Sequence, residues 1–100
     1  MITPDDVLEI EVNLNINETY TYDLGNIPSE GGYSIHKQAR NFAESEIQIN
    51  SNASFLVQYI YKPTNNFEGY DSVELLNCIS AGGKGCIQTQ LIKLNFHIQN

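Results

Sequence analysis

The strongest constraint on the fold is a strict alternation of apolar and polar side chains near the start of the chain. From Leu8 to Asn17 the two kinds of residue alternate without exception, reading LEIEVNLNIN. Successive side chains of a β-strand point to opposite faces of a sheet, so this pattern predicts a strand with one buried and one wet face. In a helix the same apolar residues would be scattered around the circumference. The first element is therefore predicted to be a half-buried strand.

Further segments rich in Ile, Val, Thr, Tyr and Phe are predicted to be strands, and turn-forming stretches rich in Gly, Pro and Asn separate them. These predicted strands cover residues 19–24, 33–36, 46–49, 55–61, 72–79 and 86–98. About seven short strands in a chain of this length indicate an all-β fold, an immunoglobulin-like antiparallel β-sandwich. Residues 36–44 form the only segment with a credible helical pattern.

The last predicted strand changes its inward face partway along its length. Ile87 and Leu91 share one parity, whereas Ile92 and Phe96 share the other. A β-bulge near Leu91 and Ile92 would supply the extra residue that this change requires. Such a bulge would bend the strand at the edge of the sandwich, and we interpret it as a structural feature.

The composition fits one folded domain and argues against nucleic-acid binding and against membrane insertion. A length of 100 residues with 41% hydrophobic side chains fits one core, so residues 1–100 are predicted to be a single domain. The net charge of −7 excludes nucleic acid, because binding to phosphate backbones depends on Lys and Arg. The apolar runs are far shorter than the roughly 18 residues of a membrane-spanning helix, so no membrane insertion by this segment is expected.

The negative charge is concentrated in residues 1–30, which contain seven acidic and no basic residues. We interpret it as the solvated outer face of a strand; attraction of calcium or a basic partner is the alternative. The first residues have neither the basic nor the apolar region of a signal peptide. We therefore expect the chain to be a piece of a longer exported protein whose signal lies upstream.

Two cysteines, Cys78 and Cys86, flank a glycine-rich stretch. If the strands on either side form a hairpin, the cysteines face each other near its end, at the short Cα separation that a disulfide requires. A disulfide across a loop of this size stabilises by about 2 to 3 kcal/mol and persists only outside a reducing cytosol. Two separate buried thiols are the alternative, whereas zinc is disfavoured because no second Cys or His pair lies nearby. The cysteines therefore predict an extracytoplasmic protein.

Catalytic patterns are weak in this sequence. His36 and His97 are far apart, and His97 alternates with apolar neighbours, which points its ring to solvent. Paired carboxylates occur, but acid–base catalysis requires a pocket that shifts their pKa values, and a sandwich of this size rarely holds one. The pairs are Asp5 with Asp6, Glu9 with Glu11, and Glu44 with Glu46. We predict no catalytic residue, no cofactor site and no metal site.

The most specific segment runs from Tyr61 to Val73 and reads YKPTNNFEGYDSV. Its spacing resembles the Tyr-x-Pro-x-x-x-Phe-x-Gly-x-Asp-Ser motif that precedes the last two strands of bacterial immunoglobulin-like and cadherin-like repeats. The cysteine pair is also similar to the Cys-Asp-x-x-Gly-x-Cys ending of such repeats from surface proteins of the Bacteroidetes type, although Ile79 stands in place of the Asp. The resemblance covers residues 57–98 well, and the first half of the chain matches only in its strand pattern.

The residues at the fixed positions of this motif are interpreted as scaffold. Pro63, close to Tyr61, ends a strand because it lacks an N–H donor, and Gly69 permits a positive φ where the chain crosses between sheets. Phe67 can plug the end of the sandwich. Asp71, just before the next strand, can accept N–H hydrogen bonds from the neighbouring loop.

Calcium is the ion that the resemblance raises, because acids at the domain ends hold it in calcium-binding cadherin relatives. In this chain Asp5, Asp6 and Asp71 are the candidates. They would form a shell only if a neighbouring repeat or loop added further oxygen ligands.

The resemblance implies a non-catalytic spacer or presentation domain of a bacterial cell-surface or secreted protein, whose partners are the neighbouring domains of the parent chain. The alternative is an adhesion module that binds a glycan or a surface protein through exposed aromatic side chains. The candidates for such contacts are Tyr33, Tyr59 and Tyr70. A fragment of a hydrolase is the third interpretation, and we expect the chain not to be an enzyme.

Overall fold

The computed structural model describes residues 6–26, 31–79 and 85–100, and within these ranges the chain forms seven β-strands and one short 3₁₀ turn. The strands are β1 (Asp6–Asn15), β2 (Tyr20–Asn26), β3 (Gly31–Lys37), β4 (Phe42–Asn50), β5 (Leu56–Pro63), β6 (Gly69–Ile79) and β7 (Gln88–Gln99). The 3₁₀ turn, Ser51–Ala53, connects β4 to β5. Each predicted strand has a counterpart in the structure.

The strands are arranged in two sheets that face each other. The order is β1-β7-β6-β3 in the four-stranded sheet and β2-β5-β4 in the three-stranded sheet. Neighbouring strands are antiparallel, with one exception: β1 runs parallel to β7, from Asp6 opposite Gln90 to Asn15 opposite Gln99. Parallel pairing needs a long connection, and β2 to β6 lie between these two strands. The predicted immunoglobulin-like β-sandwich is confirmed.

The core lies between the two sheets and is built by the alternating side chains of β5, β6 and β7. The largest side chains with almost no exposed surface are Val73, Leu75, Leu94, Phe96, Ile98, Tyr59, Tyr61 and Pro63. The alternation predicted for β1 is also present, since Leu14 is buried and Ile10 and Val12 pack against the core. Leu8, near the start of this edge strand, is 41% exposed.

The helix expected at residues 36–44 is not present, and that prediction was wrong. β3 continues to Lys37, β4 begins at Phe42, and residues 38–41, here called the crossover, carry the chain from one sheet to the other. The backbone N–H groups of Arg40 and Asn41 donate to the Asp71 carboxyl group, 2.9 Å away in each case. In a helix these N–H groups would donate to carbonyl oxygens one turn earlier, whereas here they donate to Asp71, a side chain far away in the sequence.

The β-bulge expected near Leu91 and Ile92 is also absent. β7 pairs with β6 in an unbroken register from Gln88 to Ile98. Leu91 lies on the opposite face of the sheet from the buried Ile92 and faces Leu76 across the strands. Leu91 and Leu76 form an apolar cross-strand pair on the outer face, where each side chain shields the other from water. This pair explains the change of apolar parity in β7 without the extra residue of a bulge. Register shifts occur instead in β2, β3 and β4.

A disulfide joins Cys78 in β6 to Cys86, as predicted, with a Cα–Cα separation of 5.4 Å. The backbone N–H of Ile87 donates to the carbonyl oxygen of Ile79 at 2.8 Å, which holds the base of the hairpin together beside the disulfide. Most of the predicted glycine-rich turn between the cysteines lies outside the described residues. The part of the chain that the structure describes contains no helix with the length and apolar character needed to cross a membrane.

Candidate functional site on the outer face of the four-stranded sheet

Asp71 fastens the crossover to β6 at one end of the sandwich. Its carboxyl group is buried and accepts the N–H groups of Arg40 and Asn41 and the hydroxyl of Tyr61, the last at 2.8 Å. It also accepts the N–H of Ser72. The sequence predicted N–H bonds from a neighbouring loop, whereas the crossover that Asp71 binds lies about thirty residues earlier in the chain. Both carboxyl oxygens are engaged in holding the fold.

The other motif residues surround this network. The Tyr61 ring stacks on Phe96 with centroids 4.0 Å apart and planes within 6°. Pro63 is buried at the end of β5. Gly69 has a φ of +135°, and a Cβ there would lie 3.3 Å from the Phe67 ring, which packs against the core. These residues make their contacts within the fold, at the end of the sandwich where Asp71 binds the crossover.

The phenols of two core tyrosines have strongly perturbed pKa values. Burial raises the pKa of Tyr61 far above its usual range, and the hydrogen bond to Asp71 raises it further. Burial also raises the pKa of Tyr59, against the opposing effect of its hydrogen bond with Ser45, whose oxygen lies 2.6 Å away. In both cases the buried environment disfavours the charged phenolate. These hydroxyls are therefore protonated members of the internal network.

The three tyrosines proposed as ligand contacts have different environments. Tyr59 is 0% exposed, so its assignment as a possible ligand contact is corrected. Tyr33 is half-buried, and its hydroxyl donates to the carbonyl oxygen of Leu24 at 3.1 Å, which ties β3 to β2. Tyr70 is 75% exposed on the outer face of β6. Among these three, Tyr70 is the side chain that a ligand could reach.

Tyr70 stacks on His97, the residue opposite it in β7. The ring centroids are 4.5 Å apart and the planes differ by 12°. His97 is opposite Asn13 of β1, so these three residues form one row across the sheet. The neighbouring row on the same face consists of Glu11, Asn95 and Ser72. His97 thus faces outward as predicted, while His36 is exposed on β3.

Asn95 links β7 to the acidic edge strand β1. Its side-chain amide donates to Glu9 Oε2 at 2.7 Å and to Glu11 Oε2 at 2.6 Å. A single amide group can donate two hydrogen bonds, so one Asn satisfies an oxygen of each carboxylate. The paired carboxylates Glu9 and Glu11 thus lie on the surface, where the Asn95 amide links the two side chains.

These two rows form the floor of a groove with a volume of about 460 Å³, and residues of β3 and the crossover form its wall. The lining comprises Glu11, Val12, Asn13, Lys37, Gln38, Arg40, Tyr70, Asp71, Ser72, Asn95, Phe96 and His97. Gln38 is engaged in the scaffold, because its Oε1 accepts the N–H of Ala39 and the hydroxyl of Ser45. The exposed lining combines an aromatic ring with hydroxyl, amide and charged groups.

The remaining acidic candidates lie elsewhere. Glu44 and Glu46 are on β4, and the amide of Gln48 donates to both. The hydrogen bond with Glu46 raises the pKa of Glu44. Asp6 accepts a hydrogen bond from Gln90, and Asp5 lies outside the described residues. Within residues 6–26, 31–79 and 85–100, no group of three His, Cys, Asp or Glu side chains is close enough to hold a metal ion.

Sequence reasoning missed most of the groove. It selected Tyr70 but not Asn95, Ser72, Lys37 or Arg40 as neighbours. A signal was present in β7, where the residues that alternate with the buried apolar set include Asn95 and His97. That parity predicts an outward polar stripe, but it does not indicate which strands lie beside it.

No protein-family model matches the chain, and no curated protein matches it. Among solved structures, the chain is similar to the crystal structure of the cysteine protease inhibitor EhICP2 from Entamoeba histolytica. The two share 16% sequence identity with a TM-score of 0.55, and the match covers 93% of each chain. This neighbour is an inhibitor and not an enzyme, and at this level of identity the likeness shows a shared fold.

Proposed function

We propose that the chain is a non-catalytic immunoglobulin-like module of a bacterial cell-surface or secreted protein, where it acts as a structural spacer that presents other domains. The main support is that the residues of the motif from Tyr61 to Asp71 make their contacts inside the fold. Tyr61, Pro63 and Asp71 of the motif are buried, and Asp71 binds both Tyr61 and the crossover. Phe67 packs against the core, and Gly69 leaves room for its ring. The most specific sequence feature is thus explained by architecture.

The disulfide supports an extracytoplasmic location. The bond between Cys78 and Cys86 would persist in an oxidising compartment and would be reduced in an ordinary cytosol. The net charge of −7 favours solubility at a surface exposed to solvent. Neighbouring domains of a parent chain are the partners that this proposal requires.

The pairing of β1 with β7 suits a module placed under tension. Because the two strands are parallel, the start of β1 lies beside Gln90 and the end of β7 lies beside Asn15. Domains attached before β1 and after β7 would pull the strands in opposite directions along their length. Their ladder of hydrogen bonds, roughly 30 Å long at about 3.3 Å per residue, would be loaded together in shear.

Single-molecule force spectroscopy tests this role in two pulling directions. In the first, the domain is pulled through its two ends, which shears β1 against β7. In the second, it is pulled through its C-terminal end and a handle on Asn15→Cys, which separates the same strands one hydrogen bond at a time. We expect a clearly higher unfolding force in the first direction. Equal forces would remove the mechanical support for the spacer proposal.

A second candidate function is protein binding, in particular inhibition of a cysteine protease. The observation that favours it is that the inhibitor structure aligns with the chain over 93% of both lengths, so the two are similar in extent as well as in fold. The test is an assay of papain activity with increasing concentrations of the domain. Saturable inhibition would favour the inhibitor over the spacer, and full activity at about 100 μM domain, far above ordinary inhibitor affinities, would exclude inhibition of papain.

A further inference from the structure

Tyr70 is an unusual surface residue because its ring is both exposed and held in place. It is 75% exposed, yet one ring face stacks on His97 at a centroid distance of 4.5 Å. Stacking restricts the side chain, while the exposure leaves the opposite face open to solvent. A large exposed aromatic side chain in a groove is a common feature of binding sites. Tyr70 also occupies an unfixed position of the motif, between Gly69 and Asp71, so the scaffold role of the motif does not explain it.

The groups around Tyr70 match the hydrogen bonding of sugar hydroxyls. Asn95 directs both of its amide hydrogens to Glu9 and Glu11, which fixes its orientation and leaves its carbonyl oxygen as an acceptor. Ser72 and Asn13 lie in the same groove and provide groups that both donate and accept. A pyranose ring has a face of C–H groups for the aromatic ring and hydroxyls around its rim for these polar side chains.

The charges favour a neutral ligand. The net charge of −7 repels polyanions, and Glu11 lies on the β1 side of the groove. Two cations, Lys37 and Arg40, and two carboxylates, Glu11 and Asp71, line the groove, so the formal charges of its lining balance. A polyanionic ligand would therefore meet an unfavourable field over most of its approach.

We propose that this groove binds a neutral oligosaccharide, with Tyr70 as the platform for one pyranose ring. Asn95, Ser72 and Asn13 would bind hydroxyl groups. His97 is a positioning residue, which holds the Tyr70 ring upright. This inference goes beyond the spacer function and does not depend on it, because the mechanical test concerns β1 and β7, whereas sugar binding concerns the outward side chains of the groove.

The test is isothermal titration calorimetry of the intact domain with cellohexaose, xylohexaose, mannohexaose and chitohexaose, and with hexagalacturonate as the anionic counterpart. We expect saturable binding of at least one neutral hexasaccharide, with a Kd between about 10 μM and 1 mM. Tyr70→Ala should weaken that binding by about tenfold or more, because it removes the stacking surface. Tyr70→Phe, which keeps the ring, should restore most of the affinity.

Phe55→Ala is the matched control, since Phe55 is another exposed aromatic side chain, 57% exposed and not part of the groove lining. It should leave binding unchanged. His97→Ala should weaken binding less than Tyr70→Ala and should leave the melting temperature unaltered, which separates positioning from folding. The proposal is overturned if none of the neutral hexasaccharides binds saturably, if only hexagalacturonate binds, or if Tyr70→Ala binds as tightly as the unmodified domain.

Discussion

Two aromatic stacks lie on opposite faces of β7, one with Tyr61 of β5 across the core and one with Tyr70 of the neighbouring strand β6. On the inner face, Phe96 of β7 stacks on Tyr61 with centroids 4.0 Å apart. On the outer face the next residue, His97, stacks on Tyr70 of β6 at 4.5 Å. The geometries are alike, but Phe96 and Tyr61 have almost no exposed surface, whereas Tyr70 is mostly exposed. The inner stack therefore contributes to stability, and the outer one keeps its surface available for a ligand.

Polar groups follow the same division between the two faces. On the inner face, the Asp71 carboxyl group receives donors from the crossover and from Tyr61, so the polar atoms are satisfied within the fold. On the outer face, Asn95 binds two carboxylates that remain exposed. Buried polar groups are expensive to leave unpaired, whereas exposed ones can exchange partners with water or a ligand. A substitution on the inner face should therefore affect stability far more than its counterpart outside.

The largest contrast is expected between Phe96→Ala and His97→Ala. Loss of the buried ring creates a cavity between the sheets and should lower the free energy of unfolding by about 3 to 5 kcal/mol. Loss of the outer ring should change it by less than about 0.5 kcal/mol. Urea denaturation followed by circular dichroism measures both values. Similar losses in the two variants would contradict the division between the faces.

The disulfide should have the next largest effect, although Cys86 is exposed. Its contribution comes mainly from restricting the unfolded chain, so it does not require burial. The double variant Cys78→Ser/Cys86→Ser should be less stable by about 2 to 3 kcal/mol. Addition of a reductant should destabilise the unmodified domain and leave the double variant unaffected. A response of the double variant to reductant would show that the loss has another cause.

Tyr61→Phe and Tyr70→Phe compare the two stacks through a single hydroxyl group. In Tyr61→Phe, the buried Asp71 loses one hydrogen-bond donor, which should lower the free energy of unfolding by about 1.5 to 3 kcal/mol. In Tyr70→Phe the hydroxyl is at the surface, and the change should be within about 0.5 kcal/mol. Thermal melts of both variants, recorded side by side, test the difference. Equal melting temperatures would rule out a structural role for the Tyr61 hydroxyl.

Alkaline pH should affect the inner tyrosines selectively. Folding raises the pKa of Tyr59 and Tyr61, so the folded state keeps protons that the unfolded chain loses above about pH 10. The associated stability is complete below about pH 10 and declines by up to about 1.4 kcal/mol per pH unit for each tyrosine above it. The pKa of Tyr20 is raised in the same direction, mainly by burial, and adds a smaller share.

Denaturation curves at pH 9, 10 and 11 measure this dependence. The variant Tyr59→Phe/Tyr61→Phe should show a shallower decline than the unmodified domain. A decline of equal steepness in the two proteins would assign the pH effect to other groups.

The smallest effect is expected for the hydrogen bonds that join Asn95 of β7 to the Glu9 and Glu11 carboxylates of β1. Asn95→Ala removes two hydrogen bonds to exposed carboxylates and leaves Glu9 and Glu11 in water, so the free energy of unfolding should fall by about 0.5 to 1 kcal/mol. Added salt should reduce the repulsion between these acids in the variant and recover part of the loss. A loss above about 2 kcal/mol would show that the outer face supports the fold more than this comparison implies.

Much of the fold could be predicted because strand periodicity is a local property. The alternation in β1 and about seven strand-like segments separated by turn-forming stretches predicted the all-β sandwich that the structure shows. The failures occurred where a distant contact overrides a local pattern. Residues 36–44 do not form a helix, because Asp71 binds the crossover, and Leu91 faces outward because Leu76 lies opposite it.

The candidate site was predictable only in part. Tyr59 and Tyr70 looked alike in sequence, although Gln58 and Lys62 on the other parity of β5 were a signal that Tyr59 faces inward. Nothing local connects Asn95 with Glu9 and Glu11, which are more than eighty positions away along the chain. Their contact depends on the parallel pairing of the first and last strands.

The sequence by itself determined the strands, their alternating faces and the disulfide, since each of these depends on neighbours within a short stretch of chain. Only the tertiary structure decided that β1 pairs in parallel with β7, that Tyr59 is internal, and that Tyr70, His97 and Asn95 share one groove. These features depend on which strands become neighbours and in what register. Strand neighbours and register are set by the simultaneous burial of the apolar faces of all the strands, so they cannot be deduced from any single segment.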